Sequence, residues 1–435
     1  NLDRLAERGV KFENMHCQYP VCGASRASIM SGLYPYTNLT LGNEGTLRGS
    51  MPDVVTLSQT FRNNGYYAAR VSKIYHMGIP FEIIAGTAER DDPLSWDQAF
   101  NIKAAEQNAP GESTNWSPKD KGSQSFTGVI ATGGDSDHAD GMAADRAIKI
   151  LDNVNDKPFF LAVGFVRPHV PLVAPKKYFD SYDRDKMEAP VVPEEDLDDV
   201  PGFIRGYKAN DTTYGVTPEL HKGLLQAYYA SISYMDAQVG RVLDALEEKG
   251  LADNTIVVFS SDHGYLLGHH HKFQKQHLFE EATRVPFIIS VPWLQDQHGR
   301  GTKKITELID LYPTLTDLAN LPAPDTLHGT SLKPLLSDTS SSAWIKDLAF
   351  TISRSGGESI RTQDYRFTQW GFGEKGMELY DLIKDPGEFT NQATNPEYAD
   401  VVKTLKKQLL GKREAAGFEK NRAAIQATVK FRKKK

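Results

Sequence analysis

Cys22-Gly23-Ala24-Ser25-Arg26 joins a nucleophile to a cation in one short segment. The cysteine sits in a small Gly/Ala-rich turn, and an arginine follows four positions later. Ser25 to Ser31 reads as a short helix closed by Gly32. That puts the Cys22 side chain at a helix N-terminus, where N–H groups and the dipole favour an anion. Arg26 is then placed to hold either the nucleophile or the anion it attacks. Two plainer readings compete: a small Cys17–Cys22 disulfide loop, or a buried thiol at Cys22.

Four further segments carry cations or metal ligands just after apolar runs. Ser260-Ser261-Asp262-His263-Gly264 follows the apolar stretch Thr255 to Ser260. A carboxylate and an imidazole at the carboxyl end of a strand occupy the ligand-binding end of an open sheet. Asp262 offers a hard oxygen ligand for Ca²⁺ or Mg²⁺, or else caps the next turn. Gly268-His269-His270-His271-Lys272, with Lys275 and His277, reads as a polar, partly cationic loop. Adjacent imidazoles diverge and no nearby cysteine completes a tetrahedral zinc set. Lys73 and His76 follow the apolar run that begins at Tyr66, and one helical turn would bring both to one side. Arg167-Pro168-His169 follows the run at Phe159. Singly, each of these has an ordinary surface or turn reading. Together they describe a pocket for a tetrahedral anion.

The elements that must position these residues alternate. Helix 54–63 precedes strand 66–71, and helix 141–153 precedes the apolar run 158–165. A long amphipathic helix 219–249 stops at Gly250 before buried strands 255–260 and 287–291. That order predicts an α/β fold, a large mostly parallel sheet sandwiched by helices. Beyond a Ser-rich break, strands 348–353, 359–362 and 365–370 and a helix 401–410 ended by Gly411 predict a smaller C-terminal α+β domain. The expected division is 1–340, catalytic, and 341–435. The polar stretches 85–139 and 174–217 are expected to wall a substrate cleft. A net charge of −6 gives no field for nucleic acid, and two cysteines exclude a disulfide scaffold. No run of 18 apolar residues spans a membrane. Lys430, Arg432, Lys433, Lys434 and Lys435 read as a solvated tail.

Cys22-x-Ala24-x-Arg26, continued by Leu33-Tyr34-Pro35, resembles the sulfatase signature, with Ala24 where most members have Pro. The chain is similar to type I sulfatases of the alkaline-phosphatase superfamily, and most to the iduronate-2-sulfatase branch. Segments 19–37, 65–78, 158–175, 228–246, 255–292, 307–336 and 378–391 carry the likeness. The resemblance implies formylglycine formed from Cys22 by a formylglycine-generating enzyme, with Arg26 steadying its hydrate. It implies that Lys73, His169 and Lys275 bind sulfate oxygens and that His76 holds the nucleophilic hydroxyl. Asp262 and His263 would face Ca²⁺, Asp262 as a direct ligand. The family opens with a strand ending in paired aspartates that complete the calcium site. Here Asn1-Leu2-Asp3-Arg4-Leu5 already resembles the helix after that strand, so either those aspartates lie upstream of Asn1, the favoured reading since the later catalytic positions are kept, or the metal site is incomplete. The implied substrate is a sulfated oligo- or polysaccharide, with Arg167 and Tyr265 as sugar contacts. The implied compartment is periplasmic, secreted or lysosomal-type, although no signal peptide lies within the sequence itself. A phosphonate monoester or phosphodiester hydrolase, and a non-catalytic glycan-binding relative, remain as alternatives.

Overall fold

Residues 1–119, 124–154, 157–205 and 214–428 are described in a computed structural model of the protein. Local capping signals set several elements. The Thr56 hydroxyl accepts from the Gln59 N–H and the Gln59 side chain reaches back to the Thr56 N–H, starting helix Leu57–Asn63. Thr217 caps the long helix Pro218–Glu248 in the same way, through the Leu220 N–H. Gly250, at φ 67°, turns the chain after it.

Strand Tyr67–Ser72 pairs in parallel with Gln98–Phe100 on one side and Phe159–Gly164 on the other. A Cβ at Gly164 would lie 1.9 Å from the Lys73 carbonyl oxygen, so only glycine lets these strand ends meet. In the second sheet Val10–His16 is central. It runs parallel to Arg300–Glu307 and antiparallel to Phe287–Ser290 and Arg284–Val285. Phe287–Ser290 pairs in turn with Val257–Ser260. The architecture is α/β. Helix Pro218–Glu248 and helix Ala139–Leu151 meet the sheets through Leu151, Ala245 and Leu246.

The sequence predicts a fully buried strand at 255–260; its residues from Thr255 to Ser260 are half-buried. The reason is an open edge. Among the described residues, Val257–Ser260 and Phe159–Gly164 are each paired on one edge only. Both address the same two layers. Phe160, Ala162, Ile256 and Val258 lie against one apolar cluster, and Phe159, Leu161 and Val257 against another.

Leu348–Ser353, Gly357–Thr362, Tyr365–Gln369 and Met377–Asp381 form an antiparallel meander. Its Phe350, Ile352 and Ile360 share a core with Tyr19, Val21 and Tyr34, which flank the cysteine helix, and with Ala24 within it. Gly411 does not end the last expected helix. That helix runs Ala399–Ala415, because a glycine with open space around it is tolerated within a helix. The turn comes at Gly417, at φ 90°, before a further helix, Phe418–Thr428. The basic residues Lys430 and Arg432 to Lys435 lie outside the described residues, as do parts of both polar stretches. Among the described residues no helix is long and apolar enough to cross a membrane.

Candidate active site

Cys22 is the first residue of helix Cys22–Ser31, which Gly32 ends at φ 68°. The thiol is buried and unpaired, as is that of Cys17. The N–H of Gly23 is spent inside the protein, on the Asn43 side-chain oxygen at 2.8 Å. Side chains therefore supply the positive surroundings of Cys22 more than this helix end does. Lys275 Nζ donates to Cys22 Sγ at 2.9 Å, and Lys73 Nζ lies at 3.8 Å. His263 Nε2 is 3.3 Å away, and His169 also bonds the thiol. Burial pushes the Cys22 thiol up, but Lys275, Lys73 and His263 outweigh it and hold it well below the usual value. The same burial lowers Lys73 to about 8, against the pull of Cys22.

Both imidazoles present the same face. His169 Nδ1 donates to the Val170 carbonyl at 2.7 Å, and His263 Nδ1 to the Gly264 carbonyl at 2.8 Å. A carbonyl can only accept, so each ring carries a proton on Nδ1 and turns Nε2 inward. Burial, then Lys73 and Lys275, lower His169 to about 3, so its ring is neutral near neutral pH.

Arg26 does not reach for the nucleophile. Its Nε donates to Asp262 Oδ2 at 2.7 Å, and Nη1 donates to the carbonyls of Lys73 and Ile74 at 2.6 and 2.9 Å. The Ser25 hydroxyl donates to the Asp262 carbonyl. Residues 25 and 26 thus bind the cysteine helix to the loops carrying Lys73 and Asp262. Burial opposes ionisation of Asp262, yet Arg26 and His263 hold its carboxyl at about 2. Asp262, His263 and Cys22 each bring a donor atom within 4.8 Å of the others. An ionised oxygen and an imidazole nitrogen facing one point suit a divalent cation, and they supply one side of an oxygen-rich shell. They do not fill it alone.

Of three further expected residues, Arg167 departs from its expected role. His76 is half-buried, its Nδ1 has no hydrogen-bond partner, and segment 73–80 is not helical. Arg167 is 1 % exposed in its side chain, and its guanidinium is given to Glu106 and to two carbonyls instead of an open cleft. Tyr265 is half-buried and stacks on Tyr228 at 5.8 Å. The three histidines diverge as expected. His270 Nδ1 faces Asp196 at 3.1 Å and its ring stacks on Phe279, while His271 Nε2 donates to the Pro193 carbonyl.

Residues 1–321 match the family model described as Sulfatase, and 268–415 match N-sulphoglucosamine sulphohydrolase, C-terminal. The chain belongs to the sulfatase family. It is a sulfuric ester hydrolase by that membership. A sulfatase of Formosa agariphila is 32 % identical over 93 % of this chain and 80 % of its own length. An arylsulfatase of Clostridium perfringens is 32 % identical over 94 % and 88 %. The iduronate 2-sulfatase of Mus musculus is 31 % identical over 74 % and 65 %. The fold matches the phosphonate monoester hydrolase of Agrobacterium radiobacter with a TM-score of 0.80, at 22 % identity over 95 % of this chain and 90 % of that one. It also matches, at 0.73 and 22 % identity over 95 % and 92 %, a protein solved with its substrate D-glucosamine-2-N,6-O-disulfate.

Sequence reasoning passed over Glu106 and Asp140. Asp140 sits in the first turn of helix Ala139–Leu151, where an acid reads as a dipole cap. Glu106 lies in a polar stretch with no periodicity to mark it.

Proposed function

We propose that the protein hydrolyses sulfate esters of sulfated saccharides, with Cys22 converted to formylglycine and a divalent cation, Ca²⁺, held in part by Asp262 and His263. The observation that carries this reading is the convergence on Cys22 Sγ of Lys275, Lys73, His263 and His169 from four separate segments. The Sγ atom stands where the nucleophilic oxygen of the matured residue would lie. Hydrated formylglycine would supply two hydroxyls on one carbon, one to attack sulfur and one to expel sulfate. The cation would polarise the attacking oxygen and share the charge of the sulfate.

The chain's own residues do the rest. Lys73 and Lys275 stabilise charge on the equatorial sulfate oxygens as it builds in the transition state. Arg26 holds Asp262 ionised and aimed. His169 Nε2 and the Lys275 ammonium face the same point, and one of the two is the acid that protonates the departing sugar oxygen. His76 is assigned to the nucleophilic hydroxyl, and Tyr265 to the sugar; the stacked Tyr228–Tyr265 pair supports the latter. Residues 1–340 are taken as the catalytic unit and 341–435 as a C-terminal α+β unit. A maturation enzyme in an export or lysosomal-type route is the partner this chemistry needs.

The test is chemical. Protein produced together with a formylglycine-generating enzyme should show an aldehyde or its hydrate on the Cys22 peptide by mass spectrometry. It should release sulfate from a panel of sulfated oligosaccharides, and Cys22→Ala should release none while remaining folded. Full activity with an unmodified thiol would overturn the nucleophile. Faster turnover of phosphonate monoesters than of any sulfate ester would overturn the substrate class.

A further inference from the structure

We propose that Glu106 is a positioning residue for His169, acting through Arg167. The inference rests on the reading of the anion site given above. The loop that carries His169 has little regular structure of its own. It leaves strand Phe159–Gly164 and runs through Val166 to Pro171 before strand Leu172–Pro175 begins. Something other than a ladder of backbone bonds must hold it.

Two carboxylates from outside the loop do so. Glu106 accepts from Arg167 Nη2 with both oxygens, at 2.6 and 2.7 Å, and both side chains are 1 % exposed. Arg167 Nη1 then donates to the carbonyl of His169 itself at 2.6 Å and to that of Pro171 at 2.7 Å. Asp140 accepts the N–H groups of Val166 and Arg167 at 2.6 and 2.9 Å. The chain path from 166 to 171 is thereby fixed at both ends and at His169. The His169 ring takes its own orientation from the next carbonyl, that of Val170, at 2.7 Å. Moving the loop moves the acceptor that sets the ring's proton and its aim at Cys22.

Glu106 does this from an unfavourable backbone. It lies at φ 52°, a left-handed conformation that a residue with a Cβ rarely adopts. Such a conformation persists where its surroundings over-determine it, and here the side chain is fully committed to Arg167. The long polar stretch between 85 and 139 thus contributes a structural part to the site through one residue.

The experiment is a pair of mutant cycles on the matured full chain, using 4-nitrophenyl sulfate as the probe. Glu106→Gln keeps the shape and loses the charge and one acceptor. It should lower kcat by at least about tenfold with a smaller change in KM, the scale on which small misplacements act. Glu106→Asp should recover part of that loss. In a His169→Ala background Glu106→Gln should add less than about twofold, because the group it positions is gone. Should Glu106→Gln not fold, Arg167→Lys serves instead. It keeps the charge pair, cannot bridge both carbonyls, and should show the same masking by His169→Ala. An equal loss in both backgrounds, or no loss at all, would overturn the proposal. If the wild type leaves 4-nitrophenyl sulfate intact, the kinetic arm has no readout, and the functional reading stands or falls on the oligosaccharide panel. The positioning claim is then read from ¹⁵N spectra of the His169 ring, which should be Nδ1-protonated in the wild type and altered in either variant. An unaltered spectrum would overturn it.

Discussion

Lys73 and Lys275 reach one sulfur atom from loops some two hundred residues apart in sequence, and their cost and use are the same fact. Lys73 is fully buried, and burial lowers it to about 8. A buried ammonium is retained only where a negative group repays its desolvation. In the resting protein that group is the Cys22 sulfur; in the reaction it is the sulfate. Alanine at either lysine should lower kcat/KM by roughly 10²-fold or more, the loss typical of one preorganised donor to a developing charge. Thermal stability should hold or rise, since removing one cation relieves the other. Near-normal turnover by both variants would return these lysines to a structural role. His169 belongs to the same balance, because those two cations help keep its ring neutral.

At the scale of elements, strand Val10–His16 shows how a regular piece carries an electrostatic load at its end. His16 is fully buried, and neither ring nitrogen has a hydrogen-bond partner. Burial lowers its pKa to about 3, with Arg366, Arg361 and Arg284 adding to the effect and Glu280 opposing it. The sign follows. Below the unfolded value of 6.5 the unfolded chain takes up a proton that the folded chain refuses. The stability this group contributes is therefore complete above pH 6.5 and is lost as pH falls towards 3. His16→Leu should lose less stability than the wild type between pH 6.5 and 4, the gap growing by up to about 1.4 kcal/mol per pH unit. Urea unfolding across that range measures it, and parallel curves for the two proteins would sink the assignment. Helix Cys22–Ser31 was legible from its closing Gly32 and the long helix from Gly250. Cys22 was legible from its spacing to Arg26, Lys73 and Asp262 because each follows an apolar run, and Lys275 from the polar loop around the three histidines. What His16, Glu106 and Asp196 do was not. Their partners lie tens to hundreds of residues away, and no local spacing encodes a tertiary pair. Arg167 was read as a sugar contact for the same reason: a cation after a strand looks alike whether it faces a cleft or a buried carboxylate.

For the whole molecule, the joint that matters links the C-terminal meander to the cysteine segment. Glu307, at the end of strand Arg300–Glu307, accepts from the Tyr34 hydroxyl at 2.7 Å and the Phe350 N–H at 2.8 Å. Lys346 Nζ completes the cluster, 2.8 Å from Glu307 and 2.5 Å from Asp310. Both carboxylates are fully buried. Lys346, with Lys412, holds Glu307 at about 2 against burial, while burial pushes Asp310 up. Tyr34 continues the segment that begins at Cys22, so the cluster ties the nucleophile's own chain to the sheet behind it. Lys346→Met keeps the length of the side chain and removes the charge that bonds both buried acids. The unfolding free energy should fall by about 3–5 kcal/mol at pH 7, the cost of stranding a buried charge. Acid should narrow the gap, because the orphaned carboxyls can protonate in the folded variant, and a neutral buried acid costs far less than an ion. Wild type and variant should therefore converge as pH falls from 7 to 5 in urea unfolding. A loss under about 1 kcal/mol at pH 7, or a gap that widens in acid, would mean that the two parts of the chain are held together by their shared apolar core alone.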